Sequence, residues 1–200
     1  HIQEDINMIS AGEFRNGITF DMDGKADNQE ESVTYGEKVA KPETDPTNEH
    51  YTFINWYEDE NCTIEYKFDE KTITGPTTIY AKWEAKTYYV TFESNGGTDS
   101  MAQQGIKYGD SDNLTPNAFK APEGMEFLNW KDADGNTYGD GESITLTGNI
   151  TLTAQWGAAE YKVNIAEGIE HGAVTANPSA ANMNAEITLT ITPGEGYELD

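Results

Sequence analysis

One cysteine, three histidines and twelve basic residues are all that this 200-residue chain offers of the side chains on which most site chemistry is built. Cys62 has no second cysteine to pair with, so an intrachain disulfide is excluded and the redox compartment is only weakly constrained. Against 12 Lys and Arg stand 36 Asp and Glu, a formal net charge of −24. Phosphate backbones and anionic lipid surfaces need clustered cations, so nucleic acid and membrane-surface partners are disfavoured. The bland reading of the excess acid is solubility and mutual repulsion of neighbouring chains; a cation-loving surface or a salt-adapted source is the alternative. No apolar run approaches the length of a membrane span, and no membrane insertion is expected. His1-Ile2-Gln3-Glu4-Asp5 is acidic where a secretion signal carries positive charge. Residues 1–16 are therefore read as a leader or the remnant of a preceding domain.

What the chain does have is one module written twice. Phe20, Tyr35, Trp56 and Trp83 recur as Phe92, Tyr108, Trp130 and Trp156, each 72 to 74 residues on. A fixed period with aromatic landmarks marks a tandem array. The expected domains are 17–85 and 86–157, followed by a segment, 158–200, of about 40 residues. Modules of this size lie near the lower limit for a self-sufficient core. The joints are short: Glu84 to Tyr88 lies between the copies, and five extended residues reach at most roughly 17 Å. An elongated array is expected, with a radius of gyration above the roughly 16–17 Å of a compact 200-residue globule.

Local pattern predicts strands almost throughout. Ile18 and Phe20 alternate with Thr19, and Tyr88 to Phe92 and Ile150 to Trp156 are β-branched and aromatic with period two. Asn95-Gly96-Gly97 suits a hairpin that needs positive φ, and Asp132 to Asn136 reads as a tight turn between strands. Lys41 to Thr47, with Pro42 and Pro46, reads as a surface loop. Ser111 to Lys120 is the one place for a helical turn or two. In the last segment, Tyr161 to Ile165, His171 to Ala176 and Ile187 to Ile191 read as strands without a closing strand, so 158–200 is expected to be truncated and the least stable part.

These landmarks resemble the internalin-type B-repeat, or Listeria–Bacteroides repeat, of bacterial surface proteins. The resemblance rests on Val90-Thr91-Phe92 with Asn95-Gly96-Gly97, on Tyr35-Gly36-Glu37, on Tyr51-Thr52-Phe53 leading to Trp56-Tyr57, and on Ile79-Tyr80-Ala81-Lys82-Trp83. Asn61-Cys62-Thr63 is also similar to the family, and 160–200 is similar to its divergent form. Asn55 and Asn129 depart from the family's usual Gly before Trp, and Asp21-Met22-Asp23-Gly24 stands in for the first Asn-Gly-Gly turn. The resemblance implies mainly β (small α+β), tandem β-grasp-like modules on secreted or wall-attached proteins. It implies spacing or adhesion, with neighbouring domains of the parent protein as partners and a host surface protein or glycan as a further candidate. It supplies no catalytic residue and no cofactor.

The residues themselves point the same way. Phe20, Phe53, Trp56, Trp83, Phe92, Phe127, Trp130 and Trp156 are expected to form the structural core. Burying one Trp removes about 150–250 Å² from water, worth on the order of 4–6 kcal/mol at most. Carbohydrate stacking on these rings is the competing reading. Asp132 to Asn136 and Asp21 to Gly24 superficially suggest calcium, but Gly is fourth where a calcium loop needs it sixth. His1, His50 and His171 lie far apart and none stands at ligand spacing from Cys62. Glu58, Asp59, Glu60 and Glu65 surround Cys62, the opposite of what a reactive thiol wants. With no phosphate-cradling loop and no nucleophile elbow, no enzyme activity is expected. The shared positions are core and turn residues, and no exposed motif is expected to recur.

Overall fold

The computed structural model describes residues 14–198. Residues 1–13 of the expected leader, His1 among them, and Leu199 and Asp200 lie outside the described residues. The chain divides into two compact units, one running through Thr87 and including Lys107–Asp110, the other holding Tyr88–Ile106 and the rest.

The first module is a four-stranded sheet of β1 (Arg15–Asp21), β2 (Gln29–Thr34), β3 (Tyr51–Tyr57) and β4 (Thr77–Ala85), in the order β2-β1-β4-β3. The central pair β1 and β4 is parallel, with Ile18 opposite Thr77 and Asp21 opposite Tyr80; β2 and β3 join antiparallel. Period-two patterning decides which face is covered. Ile18, Phe20, Ile79 and Ala81 are all buried, and Met22, Val39 and Ile73 reach the same core from the connections.

The second module repeats this plan. Strands β5 (Thr87–Glu93), β6 (Gln104–Lys107), β8 (Met125–Lys131), β9 (Thr137–Tyr138) and β11 (Ile150–Ala158) form a sheet ordered β6-β5-β11-β8-β9. Here too the first and last long strands, β5 and β11, are the parallel centre, with Val90 opposite Ile150 and Phe92 opposite Leu152. A separate ribbon pairs β7 (Ser111–Asn113) with β10 (Ser143–Thr145). Both modules carry a β-bulge in their antiparallel closing pair, at Ile54 and at Leu128. Each bulge leaves an exposed aliphatic side chain on the surface.

The mainly β expectation is what the molecule has: the described residues contain no helix. Ser111 to Lys120 holds β7 and a loop instead of helical turns, because tertiary partners take its backbone groups. The Gln104 side chain donates to Asn113 O and accepts from Thr115 N, and Asp140 accepts from Asn117 N. Asn95 and Gly96 do take positive φ, 47° and 91°, and the flanking strands β5 and β6 are neighbours in the sheet, but the turn alone does not join them. Ten residues separate β5 from β6, and Thr98 bridges to Lys120 instead. Between β4 and β5 only Lys86 intervenes, and between β11 and the next strand only Ala159.

The last segment folds as two ribbons, β12 (Glu160–Lys162) with β14 (Ala180–Asn182), and β13 (Gly172–Asn177) with β15 (Thr188–Pro193). The strand expected from Tyr161 to Ile165 stops at Lys162. Among its described residues no side chain of this segment belongs to the buried core, and Leu189 and Ile191 are 57% and 52% exposed. Two-stranded ribbons are marginal in water. Amide hydrogens of Thr188 to Thr192 should therefore exchange much faster than those of Val90 to Phe92; equal protection of the two strands would show that 160–200 is a stable domain in its own right.

Candidate functional site

The aromatic landmarks assemble into the same cluster twice. Phe20 and Phe53 stand 4.9 and 5.1 Å from Trp56, and Phe53 stands 5.6 Å from Trp83. Phe92 and Phe127 stand 4.9 Å from Trp130, and Phe127 stands 5.7 Å from Trp156. Trp56 and Trp130 are fully buried, Phe20 and Phe92 nearly so. Phe53, Trp83, Phe127 and Trp156 are half-buried and pack against the core edge. Edge-to-face contacts at these distances add about 0.5–1.5 kcal/mol per pair beyond burial.

Trp83 and Trp156 differ in one respect. Trp156 Nε1 donates to Ser94 O (2.9 Å) and Asn95 O (3.1 Å), locking the closing strand to the first turn. Its ring lies where a Cβ on Gly97 would sit, 2.8 Å away. The first module has the same turn, with Lys25 N donating to Met22 O as Gly97 N does to Ser94 O, but Lys25 replaces the glycine. There the Trp83 indole N–H is buried with no protein partner. A hollow of about 230 Å³ opens beside it, lined by Asp21, Asp23, Glu60 and Cys62.

Each module's second hairpin is tied by one aspartate. Asp59 accepts from the backbone of Ile64 (2.8 Å) and Thr63 and from the Thr63 hydroxyl. Asp132 accepts from Asp134 N, Asn136 N, Asn136 Nδ2 and Tyr138 Oη. The bond from Ile64 N, then those from Thr63, holds the Asp59 carboxyl below its ordinary value of 3.8, and the bonds from Asn136, Tyr138 and Asp134 do the same for Asp132. A depressed folded pKa stabilises the folded state above the unfolded value and loses that stabilisation as pH falls through the folded value. The melting midpoint should fall as pH drops below about 3.8. Replacing both aspartates with Asn should flatten that fall; an unchanged acid limb in the double variant would assign it to other carboxylates.

Among the described residues no three His, Cys, Asp or Glu side chains converge on a metal-sized point. His50 and His171 instead stack on Tyr108 and Tyr197, at 4.0 and 4.2 Å. Burial pushes the Cys62 thiol up, with Lys82 opposing and Asp59 and Asp23 adding to the rise. No helix among the described residues is long and apolar enough to cross a membrane.

Contrary to the expectation, one exposed feature does recur. In the first module a cleft of about 290 Å³ is lined by Glu58, Tyr66, Lys71, Thr72, Thr74, Thr77 and Thr78. In the second a cleft of about 590 Å³ is lined by Asp132, Asp134, Asn136, Tyr138, Thr145, Thr147, Asn149 and Thr151, among others. The two are equivalent by structure. Tyr66 N donates to the carbonyl of buried Trp56, and Tyr138 is paired with buried Trp130. Buried Ile73 and Leu146 turn their flanking threonines outward. Burial raises the Tyr66 phenol, and the Glu58 charge adds to the rise; burial and the bond to Asp132 raise Tyr138. The sequence signal was the recurrence of Thr72-Ile73-Thr74-Gly75 as Thr145-Leu146-Thr147-Gly148, which the landmarks of the repeat did not include.

A twice-written small β module with a shared aromatic cluster defines a repeat protein of the bacterial B-repeat class. The model of the Listeria-Bacteroides repeat domain matches residues 17–82 and 88–155, and that of the divergent InlB B-repeat domain matches 161–200. The chain belongs to the Listeria–Bacteroides repeat family. Two proteins of Evansella cellulosilytica, named "Putative membrane protein" and "Putative Gly-rich membrane protein", are 34% and 32% identical to it, each over 74% of this chain. Internalin H of Listeria monocytogenes is 33% identical over 68% of this chain. The matched parts make up 22%, 17% and 24% of those proteins, so the chain spans under a quarter of the length of each.

Proposed function

We propose that this chain is a non-catalytic, extracellular repeat region of a secreted or wall-attached bacterial surface protein, holding other domains of its parent away from the cell. The observation that carries this reading is that the aromatic and turn residues shared by the two copies build the fold of each module. The order β2-β1-β4-β3 around a parallel centre favours a β-grasp-like sheet in both. A tandem arrangement of copies, with Lys86 alone between β4 and β5, is in keeping with a repeat region that spaces other domains. The names of the Evansella proteins and of internalin H favour a cell-surface setting.

The test is display of the parent protein on its bacterium with 17–157 deleted or exchanged for an unrelated β-repeat array of equal residue count. A spacer predicts that antibody access to the outermost domain falls on deletion and returns with the unrelated array. Access restored without recovery of host-cell attachment would instead favour the adhesin reading, in which these modules bind a host protein or glycan.

A further inference from the structure

We propose that the recurring threonine-lined cleft is a binding site for neutral, hydroxyl-rich glycan, one site per module. This goes beyond the spacer reading and does not depend on it.

The lining selects the chemistry. Thr72 and Thr74 in the first cleft, and Thr145 and Thr147 in the second, are exposed although their neighbours Ile73 and Leu146 are buried. The core needs the aliphatic residue; it does not need a hydroxyl on either side of it. Threonine hydroxyls both donate and accept, as sugar hydroxyls do. Each cleft adds a carboxylate and a tyrosine, and the second adds the amides of Asn136 and Asn149.

Charge excludes the anionic alternatives. No Lys or Arg lines the second cleft, and Lys71 in the first is ion-paired with Glu58. A chain of net charge −24 also repels phosphate, sulfate and uronate groups at longer range. A cation is no better served, because Asp132 already accepts four hydrogen bonds from its own turn. The first cleft carries a further pointer. Tyr66 is 4% exposed, lines the cleft, and its Oη has no hydrogen-bond partner among the described residues. A buried phenol without a partner carries a desolvation cost, and because this oxygen is closed to solvent a ligand hydroxyl reaches it only when the cleft opens around it.

Both clefts are polar and open, so each site is weak, with a dissociation constant of about 1–10 mM. Two sites on one chain raise the effective affinity for a polymer through linkage, and more copies in a parent protein would raise it further.

The experiment is an amide chemical-shift titration of the full 200-residue chain with lactose, chitotriose and maltotriose, with sialyllactose as the charged control and a neutral Gly–Ser hexapeptide as the peptide control. The expected result is saturable shifts confined to Thr72–Thr78 and Thr145–Thr151 with at least one neutral sugar, weaker with sialyllactose. Thr74→Val and Thr147→Val together should lower the affinity about tenfold or more while the melting midpoint holds. Tyr138→Phe, which keeps the ring, should weaken the second cleft alone and leave the first as an internal control. The proposal is overturned if none of the three sugars gives saturable shifts at either cleft. It is equally overturned if the shifts survive in the valine and phenylalanine variants, or if the hexapeptide produces them and the sugars do not.

Discussion

Alanine in place of Trp56 or Trp130 should lower the stability of its own module by about 3–5 kcal/mol and leave the other module's unfolding almost unchanged. Both rings are fully buried, and each is gripped by two phenylalanines within 5.1 Å. Truncation removes the transfer free energy of the largest side chain and leaves a cavity that the surrounding core closes only in part. A module of about 70 residues has only a few kcal/mol of net stability, so such a loss unfolds it. Trp83 and Trp156 sit half-buried at the core edge, and their alanine variants should cost less. Denaturant unfolding followed by the remaining tryptophans would rank the four. Equal, small effects at all of them would mean that the aromatic cluster does not carry the fold.

Gly97→Ala should destabilise the second module by about 1–3 kcal/mol, whereas Lys25→Gly at the matching position of the first should cost less, about 1 kcal/mol, from the lost side-chain contacts and the freer backbone. The reason is room. A Cβ at Gly97 would stand 2.8 Å from both the Lys120 carbonyl and the Trp156 ring. The Trp156 ring cannot move without giving up its two indole hydrogen bonds to the turn. At Lys25 no ring blocks the Cβ: its ammonium holds Asp23 at 3.0 and 3.1 Å and lies 5.2 Å from the centre of the Tyr51 ring, and the Trp83 indole makes no matching bond. Thermal unfolding of both variants decides the matter. A neutral Gly97→Ala would mean that the Trp156 ring shifts freely and that its bonds to Ser94 and Asn95 contribute little.

Strands with a clear period of two were legible, Ile18–Phe20 and Val90–Phe92 among them, because one buried face imposes alternation on the residues themselves. The Asp132 to Asn136 turn was legible for a similar reason: its aspartate satisfies the local backbone, so the signal is contained in five residues. Ser111 to Lys120 was not, since Gln104 and Asp140, remote in sequence, settle its hydrogen bonds. The Asn95 turn was half legible. Its positive φ follows from local residue chemistry, but where the chain goes next depends on Lys120. The clefts escaped because nothing in a Thr-Ile-Thr-Gly or Thr-Leu-Thr-Gly stretch marks it locally as concave. Only the fold shows that Thr72, Thr74, Thr145 and Thr147 line a concavity with a tyrosine from the preceding hairpin.

The parallel pairing of the first and last long strands also bears on mechanics. In each module the polypeptide enters at one end of the central pair and leaves at the other. A pull on the two ends of the first module therefore drags Ile18–Asp21 lengthwise against Thr77–Tyr80. All the ladder bonds of that pair are strained together in shear, and none can be peeled open singly. The second module presents the same clamp between Val90–Glu93 and Ile150–Thr153, so tension applied to the ends of this chain would meet two clamps loaded in their stiff direction.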